Sequence, residues 1–84
     1  MDTLRKELLY RSEHRGMREA DFLIGGFARA HLETMSEEDL REFQTILEIP
    51  DQDLMQWCLG FVPVPEDHQG VVLERMIEYV QRTP

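Results

Sequence analysis

Cys58 is the only cysteine in this chain of 84 residues, so no intramolecular disulfide can staple it and no Cys-x-x-Cys pair can hold a metal. The three histidines, His14, His31 and His68, stand far apart, with no neighbour at ligand spacing. Cations are scarce. Nine Lys and Arg face seventeen Asp and Glu, a formal net charge of −8. Such a surface repels a nucleic-acid backbone, whose binders draw their affinity from Lys and Arg, and it repels an anionic membrane for the same reason. No apolar run approaches the ~18 residues that span a bilayer. The first residues mix Asp2 and Glu7 with Arg5 and Lys6 and do not read as a signal peptide, so the expectation is a cytoplasmic protein. Sustained alternation and Asn-Gly or Asp-Gly turns are also missing, which removes any strand pattern.

What the chain does have is helical periodicity. Hydrophobic residues make up 42% and charged residues 31%, a balance that fits one globular domain over residues 1–84. A first helix is expected over about residues 2–11, with Leu4 and Leu8 one turn apart and Leu9 and Tyr10 widening the stripe. Ser12-Glu13-His14 then breaks the pattern. A second helix runs from residue 16 or 17 to 32. At 100° per residue, Met17, Ala20, Ile24, Phe27, Ala28 and His31 form its core side. Arg15, Glu19, Phe22, Gly26 and Arg29 collect opposite. The adjacent Gly25 and Gly26 each cost about 1 kcal/mol inside a helix, and close approach of another backbone is the expected compensation. Ser36 caps a third helix whose first turn is Glu37-Glu38-Asp39 and whose buried face is Leu40, Phe43, Ile46 and Leu47. Asp51 is read as the cap of a short fourth helix carrying Leu54, Trp57 and Cys58, with Gly60 as its stop. The prolines of Phe61-Val62-Pro63-Val64-Pro65 hold that segment extended. A fifth helix is expected over residues 67–82. The fold class is all-α, a compact bundle of five short helices.

The chemistry offered by these residues is sparse. The acidic clusters sit at helix starts, where they complement the dipole. Nothing near Cys58 activates a thiol, so it reads as a small buried hydrophobe. No complete catalytic set occurs, and the chain is expected not to be an enzyme. What stands out is Arg15-Gly16-Met17-Arg18-Glu19, a charged junction with a glycine where one helix hands over to the next. Its plainest reading is an i,i+4 ion pair between Arg15 and Glu19 worth a few tenths of a kcal/mol. The functional reading is a protein-binding face continued by Phe22 and Gly26.

The order of these pieces resembles a known family. Leu8-Leu9-Tyr10-Arg11-Ser12, then Arg15 through Asp21, then Leu23-Ile24-Gly25-Gly26-Phe27-Ala28 are similar to the signature of the succinate dehydrogenase flavinylation (assembly) factors. Glu38 through Phe43, Leu47, Asp51-Gln52-Asp53-Leu54, Trp57 and Gly60 follow in that family's order. The resemblance covers about residues 4–80. It implies a five-helix bundle that binds the flavoprotein subunit of succinate dehydrogenase, and in bacteria that of fumarate reductase, and promotes covalent attachment of FAD to a histidine of that subunit. It places Arg15, Gly16 and Glu19 on the surface that meets the flavoprotein, and Phe22 is added as an apolar anchor. FAD then belongs to the partner and is not held stably by this chain, which is expected to be a monomer when free. Glu13 departs from the bulky or basic residue of many relatives, and Ala20 and Phe22 from aliphatic ones. Some members are described as antitoxins acting on cytoskeletal proteins, which leaves an antitoxin-like interaction module as the alternative.

Overall fold

Each helix begins either at a local cap or where a distant side chain supplies one. The computed structural model describes residues 1–83 and contains five α-helices and no strand among them. Helix α1 (Thr3–Glu13) is capped by Asp2, whose carboxylate accepts the backbone N–H of Arg5 at 2.8 Å. That bond, and then the Arg5 guanidinium, hold the Asp2 carboxyl below its ordinary value. The helix continues past Ser12, the expected break. Its hydroxyl donates to the Leu8 carbonyl at 2.7 Å, and so a fully buried Ser12 is satisfied without leaving the helix. Of the expected stripe, Leu8 is buried, Leu9 is half-buried against the core, and Leu4 and Tyr10 are exposed.

Helix α2 (Arg18–His31) buries Ala20, Leu23, Ile24, Phe27 and Ala28. Met17 does not belong to that side. Its backbone is extended, it precedes the helix, and it is 41% exposed, so the helical register does not reach it. The two glycines have different reasons. A Cβ on Gly25 would stand 3.4 Å from the Cα of Glu13, the close backbone approach expected of the pair. A Cβ on Gly26 would stand 2.5 Å from the hydroxyl of Tyr79, so here a side chain, not a backbone, fills the space.

A 3₁₀ turn (Leu32–Thr34) leads to α3 (Glu37–Ile46), where Ser36 and Asp39 form a reciprocal capping box. Leu40, Phe43, Ile46 and Leu47 are buried, as the pattern requires. Helix α4 (Asp51–Cys58) starts after Pro50, which occupies the cap position; Asp51 is the first helical residue and its carboxylate is engaged elsewhere. The helix ends in a Schellman motif. Gly60, at φ +83°, donates its N–H to Trp57, and Phe61 donates to Gln56.

Helix α5 (Val71–Arg82) begins four residues later than the pattern predicts. Residues 66–68 make only a single 3₁₀ turn, and Gln69 and Gly70 are extended. Its cap comes from α3: the Glu42 carboxylate accepts the N–H groups of Val72 and Leu73 at 3.0 and 3.1 Å. A Cβ on Gly70 would collide with that carboxylate, which explains a glycine at this entry.

The helices share one core. Phe27 is fully buried at its centre, with the rings of Phe43 and Tyr79 each 5.9 Å away, centroid to centroid. Cys58 lies in the same core, and burial pushes its thiol up to about 12 from an ordinary 9.0. A thiol reagent at about pH 8 is therefore expected to leave it unmodified in native buffer and to label it in denaturant. The unfolded chain loses this proton near the ordinary value, whereas the folded chain keeps it until about 12. Between those values the unfolded state binds fewer protons, so folding stability falls as pH rises, by up to about 1.4 kcal/mol per pH unit. Denaturant titrations of the wild type and Cys58→Ala across that window should differ by this slope.

Candidate functional site: a braced loop between the first two helices

The junction between α1 and α2 is built from contacts that sequence spacing does not pair. His14 closes α1, with its ring stacked on Tyr10 at 4.0 Å and its Nδ1 2.8 Å from the Tyr10 carbonyl oxygen. Arg15 then turns inward, and only 10% of its side chain is exposed. Its Nε donates to Asp51 Oδ1 at 2.7 Å, and its two terminal nitrogens donate to the carbonyls of Leu47 and Ile49 at 2.7 and 3.0 Å. Its backbone N–H donates to the carboxylate of Asp21. The i,i+4 pair with Glu19 does not form, because Arg15 lies before the helix that would set that spacing. The guanidinium instead spans to the turn between α3 and α4. There its planar fork meets one carboxylate, the carbonyl of Leu47 at the end of α3 and the carbonyl of Ile49 in the turn.

Held this way, Gly16 sits at φ +91° and is exposed. An ideal Cβ there would meet nothing within 4 Å. Glycine is therefore required by the left-handed backbone and not by lack of room. The loop presents bare main chain outward.

Glu19 and Phe22, three apart on α2, occupy the adjoining surface. Phe22 is 60% exposed, and Glu19 is exposed with no ion-pair partner among the described residues. The rest of the expected stripe departs from this face. Gly26 is covered by Tyr79, and Arg29 is paired with Glu13 of α1. The four predicted site residues thus divide: Gly16, Glu19 and Phe22 look outward, and Arg15 supports them from within. Two supporting residues were missed by sequence reading. Asp21 enters the sequence reading only as the last residue of the Arg15–Asp21 stretch, with no role of its own, and Asp51 reads as a cap. A carboxylate that pairs 36 positions away leaves no local signal.

The remaining chemistry is structural. Each histidine rests against an aromatic ring: His14 on Tyr10, His31 on Phe27 at 4.7 Å, and His68 on Trp57 at 5.3 Å. Among the described residues no three His, Cys, Asp or Glu gather around a common point that could hold a metal ion. An open trough along α5 is lined by Val71, Glu74, Arg75, Ile77, Glu78 and Gln81. Arg75 is paired with Asp39, and Glu74 and Glu78 place two carboxylates in the trough. A dinucleotide pyrophosphate does not fit such a lining. Among the described residues no helix is long and apolar enough to cross a membrane.

Comparison with known proteins places this geometry in context. A family model described as "Flavinator of succinate dehydrogenase" matches residues 6–82. The FAD assembly factor SdhE of Acetobacter pasteurianus is 45% identical over 74 residues, covering 88% of this chain and 68% of that protein. The mitochondrial succinate dehydrogenase assembly factor 2 of Dictyostelium discoideum is 37% identical over 84 residues, and this chain spans 60% of its length. The corresponding protein of Danio rerio is 37% identical over 83 residues, with 52% of its length spanned. With the all-α bundle and the braced Arg15-Gly16 junction in place, the match over nearly the whole chain shows that this protein belongs to the flavinator of succinate dehydrogenase family.

Proposed function

We propose that this chain is a non-catalytic assembly factor that binds the flavoprotein subunit of succinate dehydrogenase and promotes covalent attachment of FAD to it. The observation that carries the reading is the outward-facing, left-handed Gly16 on a loop braced by Arg15, beside the unpaired Glu19 and the exposed Phe22. Bare backbone lets a partner's main chain approach closely. Glu19 offers a charge-assisted hydrogen bond, and Phe22 offers an apolar anchor. Arg15 contributes as the brace. The proposed contribution to flavin attachment is proximity and orientation: the factor holds the flavoprotein in the geometry in which its own histidine meets the flavin. FAD is the partner's cofactor in this scheme. By the same resemblance, the fumarate reductase flavoprotein is a second client. The factor is a monomer when free and works in the cytoplasm, a compartment suited to an unpaired thiol at Cys58.

The test is co-expression with the flavoprotein subunit, read by covalent flavin fluorescence in denaturing gels. Gly16→Ala and Gly16→Arg share the same backbone strain, about 1–2 kcal/mol for a non-glycine residue in this region. The Cβ that both introduce meets nothing within 4 Å. They differ in what they present to a partner. Gly16→Ala is expected to keep most of the covalent flavin, and Gly16→Arg to lose it at a similar melting temperature. Glu19→Ala is expected to reduce covalent flavin while leaving the fold intact. Normal flavin attachment with both Gly16→Arg and Glu19→Ala would sink the site.

A further inference from the structure

The surface beside Gly16 does not end at α2. Met17, Glu19, Gln52, Met55, Gln56, Leu59 and Phe61 line one groove between the start of α2 and the end of α4. Its apolar wall is unusually open to solvent: Phe61 is 74% exposed, and Met17 and Leu59 are each about two-fifths exposed. Val62, next in the chain, is exposed as well. The Schellman turn at Gly60 holds Phe61 in place, since the Phe61 N–H donates to the Gln56 carbonyl at 3.0 Å. With its backbone fixed by that bond, Phe61 has little main-chain freedom left to lose on binding. The polar wall consists of two amides, Gln52 and Gln56, and one carboxylate, Glu19, with no ion-pair partner among the described residues.

We infer that this groove is the second half of the flavoprotein-binding surface, and that it receives a flavoprotein segment carrying an apolar side chain beside a Lys or Arg. The inference rests on the proposed function above for the identity of the partner. The apolar side chain enters between Met17, Leu59 and Phe61, and the cation meets Glu19 on the rim. Charge complementarity selects this occupant. The groove's one ionised group is an unpaired carboxylate on a chain of net charge −8, and a second copy of that chain would bring like charge to it. Continuity points the same way: Met17 and Glu19 follow Gly16 closely in sequence and also line the groove, one on its apolar wall and one on its polar wall. Phe61 thus becomes a specificity residue distant in sequence from the Arg15–Glu19 motif and adjacent to it in space.

Binding of the purified flavoprotein subunit to the full chain, measured by calorimetry, tests this. Phe61→Ser is expected to weaken binding about 30-fold or more, the effect of removing an aromatic anchor. Its melting temperature should match the wild type, because the ring is mostly in solvent. Phe61→Tyr should bind like the wild type. Glu19→Gln should weaken binding and flatten its dependence on salt. Wild-type affinity in Phe61→Ser, with binding lost in Gly16→Arg, would overturn the groove while leaving the flavoprotein reading intact. No binding by the wild-type chain would overturn both. A homodimer in sedimentation that Phe61→Ser dissociates, with flavoprotein affinity unchanged, would assign the groove to self-association and overturn this inference.

Discussion

Replacement of Arg15 by methionine is expected to destabilise the fold by about 3 kcal/mol, the cost of stranding one member of a buried ion pair. The carboxylate of Asp51 is only 18% exposed, and Arg15 Nε is the side-chain donor that meets it. The carbonyls of Leu47 and Ile49 lose their donors at the same time. Methionine keeps the apolar stem of arginine out to about Nε, so the loss reports the guanidinium and its hydrogen bonds more than the packing of the stem. For a domain of this size the melting temperature should fall by about 10–20 °C. Arg15→Met/Asp51→Leu should recover part of the loss, because no lone charge then remains buried. Arg15→Lys should not recover it, since a single ammonium cannot serve three acceptors in one plane. Calorimetry or thermal circular dichroism measures all of these. If Arg15→Met melts with the wild type, Arg15 is not the brace. Covalent flavin should fall further than the folded fraction predicts, because Gly16 loses its fixed presentation even in molecules that remain folded.

Phe27→Ala is the second large effect, with an expected loss of about 3–5 kcal/mol. Phe27 is fully buried, and its ring joins α2 to α3 through Phe43 and to α5 through Tyr79. Truncation leaves a cavity where three helices meet, and a chain of 84 residues has few other contacts with which to close it. Small domains hold only about 5–15 kcal/mol in total, so the variant should sit near its unfolding threshold at physiological temperature. Urea denaturation should show a lower midpoint with an unchanged slope. The two variants fail differently in function. Phe27→Ala should regain covalent flavin in proportion to the folded fraction as growth temperature is lowered. Arg15→Met should not, since its defect lies in the shape of the loop.

Sequence reading captured the elements whose signals are local. Ser36 followed by three acidic residues announces the start of α3, because a cap and its first turn lie within four residues. Gly60 announces the end of α4, because a left-handed residue at that point needs no side chain. The core positions of α3 and of most of α2 follow from periodicity, since one face of a helix must leave water. Misreadings fall where a local rule met a distant partner. Ser12 reads as a breaker, yet its buried hydroxyl bonds back to the Leu8 carbonyl within α1. The pattern starts α5 at residue 67, yet the Glu42 carboxylate from α3 sets the true start at Val71.

By itself, the sequence determined an all-helical chain with a small apolar core, an acidic surface, no disulfide and a conspicuous Arg-Gly-x-x-Glu junction. Those properties rest on composition and on spacings of three or four residues, which covalent geometry and helix pitch translate directly into structure. The tertiary structure alone decided what the junction does. It turned Arg15 inward to Asp51, set Tyr79 over Gly26, and brought Phe61 beside Met17 and Glu19. Each of these joins residues more than thirty positions apart, and such pairings exist only after the helices have packed. No local rule encodes which donor will find which acceptor across that distance.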